Sequence, residues 1–179
     1  MTLTGPPGPH YSTLPVDREA RLAPGTRVLG GHIEVVKELA RGGMAVVYQA
    51  ADHGRGGEAI ALKVGIAGGD AREMAGRFHN EARLGASLGD HPNVVRPLWV
   101  GSLDGPAGFE GRPVLLMELV NGTPLDLVML DHRKGLPTQR ACALGRDVAR
   151  ALAELHRRGI VHRDVKPANV IVCRPAAPG

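Results

Sequence analysis

Several things are scarce or missing in this 179-residue sequence, and each shortage removes an explanation. There is no run of about 18 apolar residues that could cross a membrane, and no basic start followed by an apolar core that would read as a leader. A soluble, cytoplasmic chain is the expectation, with no membrane segment. Cysteine is limited to Cys142 and Cys173, which have no histidine cluster beside them. Each is expected to be a buried free thiol, Cys142 in an apolar helical pattern and Cys173 at the end of an apolar run, in keeping with a reducing cytosol. An excess of one charge is also lacking. The 22 Lys and Arg are dispersed among 18 Asp and Glu, for a net charge of +4, and no run concentrates the basic residues. Nucleic acid is therefore not an expected partner. Aromatics are few, but 43% apolar residues and abundant Ala and Gly are compatible with a globular fold. The length fits one ordinary domain, or one and part of another.

Residues 1–25 contain Gly5-Pro6-Pro7-Gly8-Pro9, Pro15 and Pro24 with little apolar periodicity, and read as a flexible tail. As a proline-rich ligand the stretch lacks a clear PxxP core. From Val28 the pattern changes. His32 to Leu39 and Ala45 to Ala50 are β-branched, loosely alternating runs on either side of Ala40-Arg41-Gly42-Gly43-Met44, which is a hairpin pattern. After a turn at Asp52–Gly57, Glu58 to Val64 forms a third strand whose only charged interior residue is Lys63. Asp70 to Leu88 reads as a helix, with Met74, Phe78, Ala82 and Leu88 at roughly 3.6-residue spacing. Val94 to Val100 reads as a fourth strand. A Gly-rich turn from Asp104 to Gly111 leads into Arg112 to Met117, a buried fifth strand. Pro124 to Leu130 is expected as a short helix. A long helix then starts at Thr138 as N-cap and ends at Arg157-Arg158-Gly159, where basic residues and glycine suit a C-terminus. Leu144, Val148, Leu152 and Leu155 make one apolar face on it.

His162-Arg163-Asp164-Val165-Lys166-Pro167-Ala168-Asn169 follows, a loop between that helix and the short apolar run Val170 to Val172. It gathers a carboxylate that can accept a proton, an ammonium that can neutralise phosphate charge and a carboxamide that can offer oxygen to a hard cation. Phosphoryl transfer needs all three side by side. The loop resembles the catalytic loop H-R-D-x-x-x-x-N of the eukaryotic-like, bacterial-type serine/threonine protein kinases, and Lys-Pro after the Asp goes with Ser/Thr acceptors. Upstream, Gly42-Gly43-Met44 is similar to the family's glycine-rich loop. Ala59-Ile60-Ala61-Leu62-Lys63 resembles its V-A-I-K strand, and Phe78 to Glu81 its F-x-x-E helix. His91-Pro92-Asn93-Val94-Val95 resembles the junction into its fourth strand.

The resemblance implies an α+β, protein-kinase-like fold: a five-stranded antiparallel N-lobe with one helix and the hinge over residues 26–122, and the beginning of a helical C-lobe over residues 123–179. It implies ATP and Mg2+ as cofactors and a protein with a Ser or Thr acceptor as substrate. Asp164 and Lys166 would be catalytic, and Asn169 would bind magnesium. The nucleotide would be held by Leu39, Ala40, Gly42, Gly43, Val47, Ala61, Lys63 and its counter-ion Glu81, with Met117 as gatekeeper and the main chain of Glu118 and Val120 on the adenine edge. His162 and Arg163 read as structural. There are departures. Aligned on Val47, the three loop glycines become Ala40, Gly42 and Ala45, and the 179 residues contain no Asp-Phe-Gly. The expectation is therefore a truncated or partial catalytic domain, inactive alone. The alternatives are a non-catalytic pseudokinase fragment that binds nucleotide or a partner, and a small-molecule phosphotransferase, which Arg163, Lys166 and Pro167 disfavour. The apolar face of the long helix is expected to stay partly uncovered, favouring aggregation or a covering partner.

Overall fold

The structure, a computed structural model, describes residues 19–68, 70–132 and 135–173. Most of the expected tail, and the chain beyond Cys173, lie outside the described residues. Leu22, inside the stretch assigned to the tail, is buried in the core, and its N–H donates to the Tyr48 hydroxyl at 3.2 Å.

Six strands make one antiparallel sheet: β1 (Arg27–Val28), β2 (Ile33–Arg41), β3 (Ala45–Asp52), β4 (Glu58–Gly65), β5 (Pro97–Ser102) and β6 (Pro113–Glu118), in the order β1-β2-β3-β4-β6-β5. The sequence pattern predicts five. The additional strand is two residues long, too short for an alternation to show, and its turn into β2 is built by Leu29, Gly30 and Gly31, all left-handed. Leu29 tolerates a φ of 54° because the Asp104 carboxylate accepts its N–H and that of Gly30, at 2.5 and 2.6 Å. The hairpin turn between β2 and β3 is shorter than expected. Ala40 and Arg41 already pair with Val47 and Val46, which leaves only Gly42, Gly43 and Met44 in the connection.

Alternation divides the sheet into two faces. Val46, Tyr48, Ala50, Ile60, Leu62, Val64, Val114 and Leu116 point to one face and form the main core with Val28, Ile33 and Val35. Leu103 and Phe109 join them, so the stretch from Asp104 to Gly111 is a seated connection and not merely a turn. The other face carries helix α1 (Ala71–Leu88), capped by the Asp70 carboxylate on the N–H groups of Arg72 and Glu73. Phe78 and Ala82 pack there against Leu115. The approach is close: a Cβ at Gly85 would lie 2.6 Å from the Pro97 ring and 3.3 Å from the Val95 carbonyl. This position accepts only glycine without a shift of the helix.

Past the sheet come β7 (Gly122–Pro124), α2 (Leu125–Asp131), α3 (Thr138–Arg157) and β8 (Ile171–Cys173), with β7 and β8 forming a separate two-stranded ladder. Pro137, not Thr138, caps α3, and no side chain makes the cap bond. Its extended backbone ends the preceding loop, so Thr138 becomes the first helical residue. Among the described residues the α3 face is covered only toward its end, where Leu155, with Leu152 beside it, packs against Leu84 and Leu88 of α1 and Arg158 bonds the Ser87 carbonyl. Leu144, Val148 and Leu152 are half-buried. Both cysteines are exposed, contrary to expectation. Cys142 belongs to the uncovered first half of α3, and Cys173 ends a three-residue strand. Among the described residues no helix is long and apolar enough to cross a membrane.

Candidate functional site

The ladder fixes where the predicted residues of the sheet lie. Ala40 pairs with Val47, Val47 with Lys63 and Lys63 with Leu115, so these four share one row and one face. Two residues along the same strands, Ala61 pairs with Met117 and falls on that face as well. It is the face opposite the main core. Lys63 sits between buried Leu62 and Val64, and the alternation turns it away from their side and toward α1. There Nζ meets Glu81 Oε2 at 2.5 Å.

That pair lies open to water. The Lys63 side chain is 23% exposed and the Glu81 side chain 47%. Full Coulomb attraction near 4 Å at an effective dielectric of 20 is about 4 kcal/mol, but solvent screening reduces a pair this exposed to about 0.2–1 kcal/mol. The pair therefore adds little to the stability of the fold, and it fixes the direction of the ammonium.

Leu39 lies at a bulge between Glu38 and Ala40 and is exposed, as are Ala40, Gly42 and Gly43. Glycine at 42 and 43 is not required by the fold. Neither has a positive φ, and among the described residues a Cβ would meet only the Ala45 carbonyl at 3.7 Å from Gly42 and nothing within 4 Å from Gly43. Bare backbone here leaves room for something outside the chain to come close. Ala40 and Ala45, which replace glycine in the resembled motif, also have ordinary backbone angles, so each adds a methyl without strain.

Helix α1 reaches this loop as well: Arg77 donates to the Met44 sulfur at 3.2 Å and pairs with Glu73 at 2.7 Å. Sequence reading did not single out Arg77, because a lone arginine on a helix has no motif to mark it. Glu118 ends β6 with its N–H given to the Arg96 carbonyl at 3.0 Å and its carboxylate accepting the Arg96 N–H at 2.8 Å. Val120 follows in the connection to β7, half-buried.

The second cluster lies after α3. Asp164 Oδ2 is 3.0 Å from Lys166 Nζ, and Asn169 Nδ2 donates to both Oδ2 and the main-chain carbonyl of Asp164, at 2.9 and 2.8 Å. Lys166 first, then Asn169, hold the Asp164 carboxyl below its ordinary value of 3.8. The Asp164 N–H meets His162 Nδ1 at 3.3 Å, and Arg163 bends the chain with a φ of 65°. A 3-10 turn over Pro167–Asn169 returns the chain toward β8, and the Val170 carbonyl accepts the Leu125 N–H at 2.8 Å, tying the loop to α2.

With its amide nitrogen committed twice to Asp164, Asn169 keeps its oxygen as the free end, which suits a hard cation. Among the described residues no group of three His, Cys, Asp or Glu could hold a metal by itself. Any magnesium here would depend on phosphate oxygens for most of its shell, as that ion commonly does. Two hollows of the surface lie elsewhere. One, bounded by Leu29, His32, Asp52, Arg55 and Trp99, contains none of the predicted residues, and the other, beside Asp90, His91 and Arg96, touches only Glu118.

The protein kinase domain family matches residues 33–176. The probable serine/threonine-protein kinase SCO3848 of Streptomyces coelicolor is 40% identical over 152 residues, which are 83% of this chain and 21% of the relative. Serine/threonine-protein kinase PknF of Mycobacterium tuberculosis is 36% identical over 159 residues, 88% of this chain and 31% of PknF. The chain thus spans about a fifth to a third of the length of these relatives. Among solved structures, the PknI kinase domain of M. tuberculosis superposes with a TM-score of 0.69 at 31% identity, covering 87% of this chain and 60% of that domain.

Proposed function

The chain belongs to the protein kinase domain family, and we propose that it carries the nucleotide-gripping sheet and catalytic loop of an ATP-dependent protein serine/threonine kinase. The observation that carries this reading is the Lys63–Glu81 pair. A strand lysine turned toward a helix carboxylate serves no purpose in a core, but is what gripping phosphates beside a glycine-rich hairpin requires.

ATP supplies the γ-phosphoryl group, and magnesium, when bound, neutralises charge on its phosphates. Lys63, aimed by Glu81, holds the α- and β-phosphates. Val47, Ala61 and Met117 form the apolar surface under adenine, with Leu39, Ala40, Gly42 and Gly43 covering it. Because the Glu118 N–H is spent on Arg96, the adenine edge is left to the Glu118 carbonyl and the Val120 main chain. Asp164 orients the acceptor hydroxyl and takes its proton as the oxygen bonds to the γ-phosphorus. The bond to the β–γ bridging oxygen breaks and ADP leaves. A carboxylate held below its ordinary value is a weak base, so orientation is the larger part of this role. Lys166 leaves Asp164 to meet the transferring phosphoryl group, and Asn169 offers its amide oxygen to magnesium. The reaction belongs in the cytoplasm, where ATP is found.

A second reading, a nucleotide- or partner-binding module without turnover, shares the Lys63–Glu81 site with the first. Calorimetry with MgATP tests the shared part. Lys63→Met should weaken binding roughly 10- to 100-fold, the worth of a charge-assisted hydrogen bond to phosphate. Equal affinity of wild type and Lys63→Met would remove the nucleotide site from both readings. Phosphate transfer to a Ser/Thr protein, lost in Asp164→Ala, separates them.

A further inference from the structure

Phe78 lies three residues ahead of Glu81, and at that spacing both side chains occupy one face of α1. The function proposed above uses only the glutamate. Yet Lys63 Nζ also lies over the Phe78 ring, 5.3 Å from its centroid, within the range of a cation–π contact. The ring is fixed in place. It is buried with Ala82 against Leu115, and Leu115 is the ladder partner of Lys63. The strand neighbour of the lysine therefore seats the ring beneath its ammonium.

We propose that Phe78 is a positioning residue for Lys63, its ring face holding the ammonium where Glu81 alone, being half exposed, would let it swing. An aliphatic residue would fill the same space but lacks the negative ring face. The carboxylate contact is open to water and salt, whereas the ring contact is made on the packed side of the lysine. The two attractions come from successive turns of one helix, so a shift of α1 moves both together. The inference deepens the nucleotide-site reading and rests on it for its consequence, though not for its geometry.

The test uses the whole 179-residue chain with carbon-13 in its lysines, the Lys63 ε-methylene signal being assigned through Lys63→Arg. The ring current should displace that signal upfield in the wild type and in Phe78→Tyr. In Phe78→Leu it should return to the position of exposed lysines, and MgATP affinity should fall roughly 2- to 5-fold and be restored in Phe78→Tyr. A wild-type signal already at the exposed-lysine position, or one that Phe78→Leu leaves displaced, would overturn the proposal. So would unchanged affinity in a folded Phe78→Leu chain that binds nucleotide. Should Phe78→Leu fail to fold, the wild-type and Phe78→Tyr spectra decide the matter. A chain that binds no ATP while its Lys63 signal stays displaced would sink the nucleotide reading and leave the positioning intact.

Discussion

The sheet with α1 and the segment after Glu118 hold their functional groups in opposite ways. In the first, Lys63 is placed by a ladder whose neighbours Leu62 and Val64 are fully buried, and Ala40, Val47 and Leu115 share its row. In the second, Val128 and Leu155 are the only buried apolar side chains among the described residues, while Leu127, Met129, Leu130, Val161, Val165 and Ile171 are exposed. Asp164, Lys166 and Asn169 are held there by bonds to one another rather than by packing. One half of the site is thus fixed by the fold and the other by short polar contacts on a thinly packed base.

The largest test of this contrast removes side chains from both regions. Leu62→Ala empties a fully buried position and should cost about 2–5 kcal/mol in urea unfolding. Leu127→Ala, at an exposed position, should stay within about 0.5 kcal/mol. Equal costs would mean that the two regions are packed alike.

Two glycines sharpen the contrast at a smaller scale. Gly85→Ala must push α1 off Pro97 and the Val95 carbonyl, an overpacking cost of about 1–3 kcal/mol that should lower the cooperative melt. Gly122→Ala places a Cβ 2.7 Å from the Val172 carbonyl oxygen and 2.5 Å from Ile171, so β7 and β8 must part. That ladder is small and lies outside the main core. The expected result is faster amide exchange confined to the ladder and to Leu125, with little change in the main melt. A fall of the whole melt in Gly122→Ala would show the second region to be part of the same cooperative unit.

The division also governs what could be read from sequence. The Lys63 strand, the helix carrying Glu81 and the Asp164 loop each have a local pattern, and the ladder and helix bring Lys63 to Glu81. The strand Arg27–Val28 was not legible, because two residues have no period and its turn depends on Asp104, which lies far along the chain. The seating of Phe109 was hidden for a similar reason: glycines on either side look like a turn whether or not the residue between them is buried. Cys142 and Cys173 were misread because apolar neighbours in sequence imply burial only where something covers the face, and in the second region little does. The ring under Lys63 was present in the sequence as a motif position, but only the Lys63–Leu115 pairing brings the two together.

The smallest effect concerns Asp164, and it tests whether polar contacts alone order the loop from His162 to Asn169. Its carboxyl lies below the ordinary 3.8, chiefly through Lys166 and next through Asn169. For a carboxyl lowered by folding, the contact is fully present above the unfolded value and is lost as pH falls through the folded one. A carbon-13 titration of the Asp164 carboxyl should therefore give a midpoint below 3.8, raised by Lys166→Gln and raised less by Asn169→Ala, since lysine is the larger cause. The Asp164 side chain is 62% exposed, so the melting temperature should hardly change across that range even as the loop loses its ion pair. A midpoint at or above 3.8 would mean that the three groups do not hold one another in solution. The loop would then lack the fixed geometry that the sheet secures for Lys63 by register alone.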